Sequence, residues 1–257
     1  MIIIEQIKGL TAKPNAPEFK PSSEQPIAHI PDYNFMINAA YFKENKVLDQ
    51  VNGVDLVNAS ASGATEVDNI IQIGNNRFFS TPMAEAKFFR FNPQKKLNGT
   101  ALTVVFVAKP DEATSATGLG TIVAGNDAVD DYSVKVSFNA TRSQLQFFGA
   151  GGLSNAVNPK ISYVLQPENR QKPSLYVVTF SIEKGYEIRV NGKQVAINTL
   201  DKEARTSQLG VNEWSVLRNF SGQCGFIAVL DSDLTLERNR KFLFEIENHF
   251  KKRFSLD

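Results

Sequence analysis

From residue 100 onward, apolar side chains recur every second residue in short runs, and that period belongs to strands that are half buried. In "YSVKVSF" (132–138), Tyr132, Val134, Val136 and Phe138 point one way, and Ser133, Lys135 and Ser137 the other. "SQLQFF" (143–148) follows a short connection, so the two runs are expected to pair as a hairpin. "TALTVVFVAK" (100–109) is apolar on both faces, the pattern of a central strand covered on both sides. In "LYVVTFSI" (175–182), Tyr176, Val178, Phe180 and Ile182 share a face.

"GYEIRVNGKQV" (185–195) reads as a strand, a two-residue Asn191-Gly192 turn of type I′ and a returning strand. A regular ladder sets Val190 opposite Lys193, Ile188 opposite Val195 and Tyr186 opposite Ile197, which makes one oily face. Such a face must cover a second sheet.

"WSVL" (214–217) and "CGFIAVLD" (224–231) read as further strands. A closing helix follows, with Thr235 as N-cap, Glu237 in the first turn and Lys251, Lys252 and Arg253 in the last. Leu243, Ile246, Phe250 and Phe254 form its buried stripe. Upstream, "KVLDQVNGVDLVNA" reads as a strand with an Asn-Gly turn and "NNRFFSTP" as a short strand. "FMINAAYF" (35–42) fits strand or helix.

Five of the eleven prolines fall in residues 1–31. Proline fixes φ and pushes its predecessor toward extended geometry. Residues 1–31 are therefore expected to be an extended arm, serving as a linker or lying on a neighbouring subunit, and residues 32–257 one domain. The net charge of +1 gives no whole-molecule field for nucleic acid. The longest apolar runs are too short to insert in a bilayer. A single cysteine, Cys224, forbids an intrachain disulfide, and the opening "MIII" followed by Glu5 does not read as a signal peptide.

In this order, the strand into "VNGK" after "VVTFSIEKG", the stretch "FSGQCGFIAVLDSDLT" and the terminal helix resemble the concanavalin A-like lectin/glucanase superfamily, nearest its laminin-G-like jelly-roll modules. "VLDQVNG" is similar to a stretch near the start of such modules. The resemblance implies an all-β fold of two facing antiparallel sheets, and no particular activity.

A glucanase of that superfamily would carry Glu-x-Asp-x-x-Glu on one strand face. Here "EVDNII" keeps Glu66 and Asp68 but has Ile71 in the last place, which cannot protonate a leaving sugar. His29 and His249, the only histidines, lack metal-ligand spacing. Cys224 is expected to be a small buried hydrophobe. Asp127, Asp130 and Asp131 cluster before a strand, and hard oxygen ligands so placed suit Ca²⁺. Some laminin-G-like modules bind that ion at the sandwich rim; no other cofactor is expected.

Trp214, the only tryptophan, reads either as core packing or, with Asn155 and Asn219 in rim loops, as a ligand-binding face. The expectation is a non-enzymatic structural or adhesion component of a bacteriophage virion: tail fibre, baseplate or capsid decoration. It would be made in the host cytoplasm, assemble as a homo-oligomer and meet other virion subunits through the arm. A carbohydrate-binding module for a cell-surface glycan is the alternative, and a glycoside hydrolase the third reading.

Overall fold

A computed structural model describes residues 25–57, 70–81, 89–95, 97, 100–111, 119–125, 134–148, 159–199, 211 and 213–256. Residues 33–57 supply β1 (Tyr33–Asn38), β2 (Phe42–Lys43), β3 (Lys46–Asp49) and β4 (Val54–Val57). β5 (Ile70–Ile73), β6 (Asn76–Thr81) and β7 (Phe89–Phe91) come next. Then follow β8 (Ala101–Pro110), β9 (Gly120–Gly125), β10 (Val134–Phe138), β11 (Gln144–Phe148), β12 (Ile161–Val164) and the short helix α1 (Pro167–Gln171). β13 (Ser174–Ser181), β14 (Gly185–Val190), β15 (Lys193–Asn198), β16 (Trp214–Val216) and β17 (Gly222–Leu230) lead to helix α2 (Arg240–Phe254).

Two antiparallel sheets face each other, as the alternation requires. The larger has eight strands in the order β15-β14-β13-β8-β17-β6-β5, with β1 also on β17. The other has six, β12-β11-β10-β9-β16-β7, and β2-β3-β4 form a small third sheet. One edge of β17 is shared: Gly222 to Cys224 pair with β6, and Phe226 to Leu230 with β1. Val134, Val136 and Phe138 meet Tyr176, Val178 and Phe180 in the core between the sheets. Phe138 lies edge-on to Phe106 and Tyr176 of the opposite sheet at 6.3 and 5.8 Å. Ring pairs at this spacing add to what burial alone supplies.

The two-faced strands are explained by a third layer. Leu102, Val104, Phe106 and Ala108 of β8 enter the inter-sheet core, while Val105 and Val107 pack outward in a second cluster. The expected stripe of α2 (Leu243, Ile246, Phe250 and Phe254) closes that second cluster. Ile27, from a 3₁₀ turn at Gln25–Ile27, joins it together with Ile30, whose N–H donates to the Ile27 carbonyl. That end of the Pro-rich stretch thus lies on the chain's own helix; residues 1–24 are outside the described residues.

Three local readings change. "FMINAAYF" is both things in turn: β1, a 3₁₀ turn at Ala39–Tyr41 capped by the Asn38 carboxamide, then β2. Thr235 is not an N-cap. Its N–H and hydroxyl both donate to Asp233 Oδ1 at 2.8 and 2.7 Å, a 3₁₀ turn (Glu237–Asn239) follows, and α2 begins only at Arg240. Ile182 lies past the end of β13 and is exposed.

The 185–198 hairpin turns as its sequence demands, with φ of 48° at Asn191 and 80° at Gly192, and Val190 opposite Lys193. Beyond Arg189↔Gln194 the register slips by one, so Ile188 faces Ala196, Glu187 faces Ile197 and Tyr186 faces Asn198. The bulge turns Ile197 out to solvent, half exposed, and leaves Val195 as the extra residue. At the hairpin's start, Gly185 has φ of 92°, and a β-carbon there would strike the Asn198 carbonyl. Gly185→Ala is expected to cost about 1–3 kcal/mol. The check is a urea midpoint that falls at constant slope.

Candidate functional site

Where the hairpin turn meets α1, a cleft of about 180 Å³ opens. Tyr163, from the end of β12, forms one wall, with Glu168 and Asn169 of α1 and Lys172 just beyond it. Val190, Asn191, Lys193 and Val195 form the other. The bulge makes that second wall. In an unbroken ladder Val195 would face Ile188 and point into the core; here Ala196 takes that place and Val195 stays half-buried beside the cleft.

Hydrogen bonds inside the protein fix both walls. Pro167 suits the first helical position, where no N–H is needed. Asn169, buried, accepts from Gln166 N at 3.2 Å and from the Tyr163 hydroxyl at 3.4 Å, and donates from Nδ2 to Ser174 Oγ at 3.2 Å. Opposite, Asn191 N donates to Leu175 O and Leu175 N to Asn191 Oδ1, both at 2.8 Å, so the turn is clasped to β13. Burial pushes the Tyr163 phenol up, against opposing hydrogen bonds to Gln166, and the Glu168 charge adds to it. The hydroxyl is therefore a donor at neutral pH.

Behind the turn lies a buried ionic network. Arg189 Nε donates to Glu247 Oε1 of α2 at 2.7 Å, its Nη1 to Glu187 Oε1 at 3.2 Å, and its Nη2 to the Gly192 carbonyl at 2.7 Å. Lys184 completes the pairing of Glu187. One guanidinium thus ties the helix, the strand and the turn that carries Asn191 and Lys193.

The residues singled out from sequence lie elsewhere. Trp214 is fully buried, and its Nε1 donates to Asn34 Oδ1 at 3.0 Å while the ring sits edge-on to Phe35 at 5.4 Å. The ligand-binding reading of Trp214 is corrected on that ground, because the indole has no face left for a sugar. Asn219 is exposed in the turn between β16 and β17, where its carbonyl accepts from buried Arg142 at 2.7 Å. It does not line the cleft. Asn155, Asp127, Asp130 and Asp131 lie outside the described residues, as do Glu66 and Asp68.

Among the described residues, no group of three His, Cys, Asp or Glu side chains is placed to hold a metal. The buried carboxylates are engaged structurally. Asp49 accepts from Met36 N, Val51 N and Asn52 Nδ2, and Asp233 Oδ2 accepts from Ser181 Oγ at 2.6 Å. His29 pairs with Glu245 at 2.8 Å, and burial holds His249 below its usual range. Cys224 is buried, its thiol pushed up by desolvation.

Sequence reasoning passed over Tyr163, Glu168, Asn169, Lys172 and Lys193. The available signal was "QPENRQK", a polar run with a helix-starting proline wedged between two strands.

No family model matches the chain, and no curated protein matches it in sequence. Solved structures do. The botulinum neurotoxin serotype D binding domain is similar with TM-score 0.56 at 12% identity, over 86% of this chain and 53% of that one. A botulinum neurotoxin DC binding domain in complex with rat synaptotagmin II gives 0.58 at 11%, over 83% and 52%. Trypanosoma rangeli sialidase in complex with sialic acid gives 0.56 at 13%, over 88% and 37%. The fold is an antiparallel β-sandwich with a C-terminal helix. The chain spans about half the length of the toxin domains, and less of the sialidase.

Proposed function

We propose that the chain is a non-enzymatic attachment module that holds a glycan in the cleft between α1 and the β14–β15 turn. The make-up of the walls carries this reading. Tyr163 offers an aromatic surface for the C–H face of a sugar ring, and Asn191 and Lys193 offer donors for hydroxyls. Glu168 is the single carboxylate among the described lining residues, whereas glycoside hydrolysis by the usual route needs two. The similar solved structures, a toxin binding domain in complex with rat synaptotagmin II and a sialidase in complex with sialic acid, are consistent with a surface-recognition role for this architecture. As part of the same proposal we place the module on a bacteriophage particle, in line with its disulfide-free composition.

Saturation-transfer NMR over a broad glycan panel is the test. At least one glycan should bind, with affinity falling about tenfold in Tyr163→Ala, the loss of one aromatic contact. A circular dichroism spectrum checks that the variant stays folded, and no reducing sugar should be released. Silence across the panel overturns the glycan reading, and steady turnover overturns the non-enzymatic one. Antibody labelling of purified particles tests the virion placement, which a negative result removes.

A further inference from the structure

We propose that the sugar selected by this cleft bears a carboxylate, with Lys193 as its ionic partner and Asn191 as a neutral donor beside it. This rests on the glycan reading above. The cleft's volume, about 180 Å³, sets the scale. It lies below the roughly 300–1,000 Å³ typical of pockets that enclose a drug-sized ligand. One ring fits, not a chain, so selectivity must come from the groups that one ring presents.

Those groups face Lys193 on one wall and Glu168 on the other, while Lys172 is already engaged within the protein. A neutral ring is served by amides, a hydroxyl and one acceptor, and needs no cation. A carboxylate on the ring uses the Lys193 charge, because an ionised hydrogen bond is about twice as strong as a neutral one.

The placement of Lys193 is constrained although its side chain is exposed. It pairs with Val190 across the turn, and the Arg189 bond to the neighbouring Gly192 carbonyl fixes the backbone. Asn191 keeps its amide oriented: Oδ1 is occupied by Leu175 N, so Nδ2 is the end left for a ligand. Asn169 has both ends of its amide engaged, and its role is to hold α1 and Tyr163 in place. Glu168 remains to accept from ring hydroxyls and disfavours a ligand carboxylate on its own side of the cleft.

The experiment compares matched sugars by saturation-transfer NMR on the full chain: methyl glucuronide against methyl glucoside, and N-acetylneuraminic acid methyl glycoside against its methyl ester. Each acid should bind about tenfold more tightly than its neutral partner. That margin should shrink as salt rises from about 50 mM to about 500 mM. Lys193→Glu should remove it, leaving the melting temperature unchanged. Equal affinity for acid and neutral partners overturns the inference while the glycan reading survives. So does a Lys193→Glu variant that keeps the preference. Binding of no sugar of either kind overturns both.

Discussion

Trp214→Ala should destabilise the fold by about 3–5 kcal/mol, the range for emptying a large aromatic from a core. The indole is fully buried in the inter-sheet cluster against Phe35, and its N–H is the donor to Asn34 Oδ1. Asn34 is itself buried: its Nδ2 donates to Lys95 O at 2.9 Å, and its carbonyl accepts from Asn52 Nδ2 at 2.9 Å. The substitution therefore opens a void and unsettles the polar chain that joins β1 to the β3–β4 turn. The measurement is equilibrium urea unfolding followed by circular dichroism. In the wild type, fluorescence from this single tryptophan should be blue-shifted and shielded from acrylamide. A loss under about 1 kcal/mol, or ready quenching, would contradict the buried placement.

Glu247→Ala is expected to cost about 3 kcal/mol, the lower end of the range for removing one partner of a buried ion pair. For a domain of this size that corresponds to a melting temperature lower by roughly 6–12 °C. Glu247 and Glu187 are almost wholly buried, and Arg189 lies between them. Truncating Glu247 unties α2 from the hairpin and leaves the guanidinium with one carboxylate and the Gly192 carbonyl. Glu183→Ala is the control. Its bond to Arg238 is bidentate but lies at the surface, where solvent screens it, and no change in melting temperature is expected. Equal effects of the two substitutions would show that the buried network is not what fastens the helix.

Much of the architecture was legible because strand alternation is a direct image of burial. β10 and β11 pair as their spacing requires, the two-faced pattern of β8 matches its place between two clusters, and the α2 stripe is buried residue for residue. The failures have local causes. A bulge inserts one residue without altering the apolar pattern, so "KQVAIN" reads identically with Val195 or Ala196 toward the core. Thr235 looks like a cap, yet its own N–H and hydroxyl both donate to the carboxylate two residues earlier, and the helix starts only at Arg240. The cleft was illegible for a different reason. Tyr163, Glu168 and Lys193 come from a strand end, a short helix and a hairpin turn, and only the meeting of α1 with that turn brings them together.

The position of β17 has a consequence for biosynthesis. This strand, at residues 222–230, pairs with β8 along one edge and with both β1 and β6 along the other. While a ribosome is still short of residue 222, β8 and β1 wait with open backbone donors and acceptors and no mate between them. The large sheet can close only once residues 222–230 have been made, and chains truncated before residue 222 should be recovered as inclusion bodies.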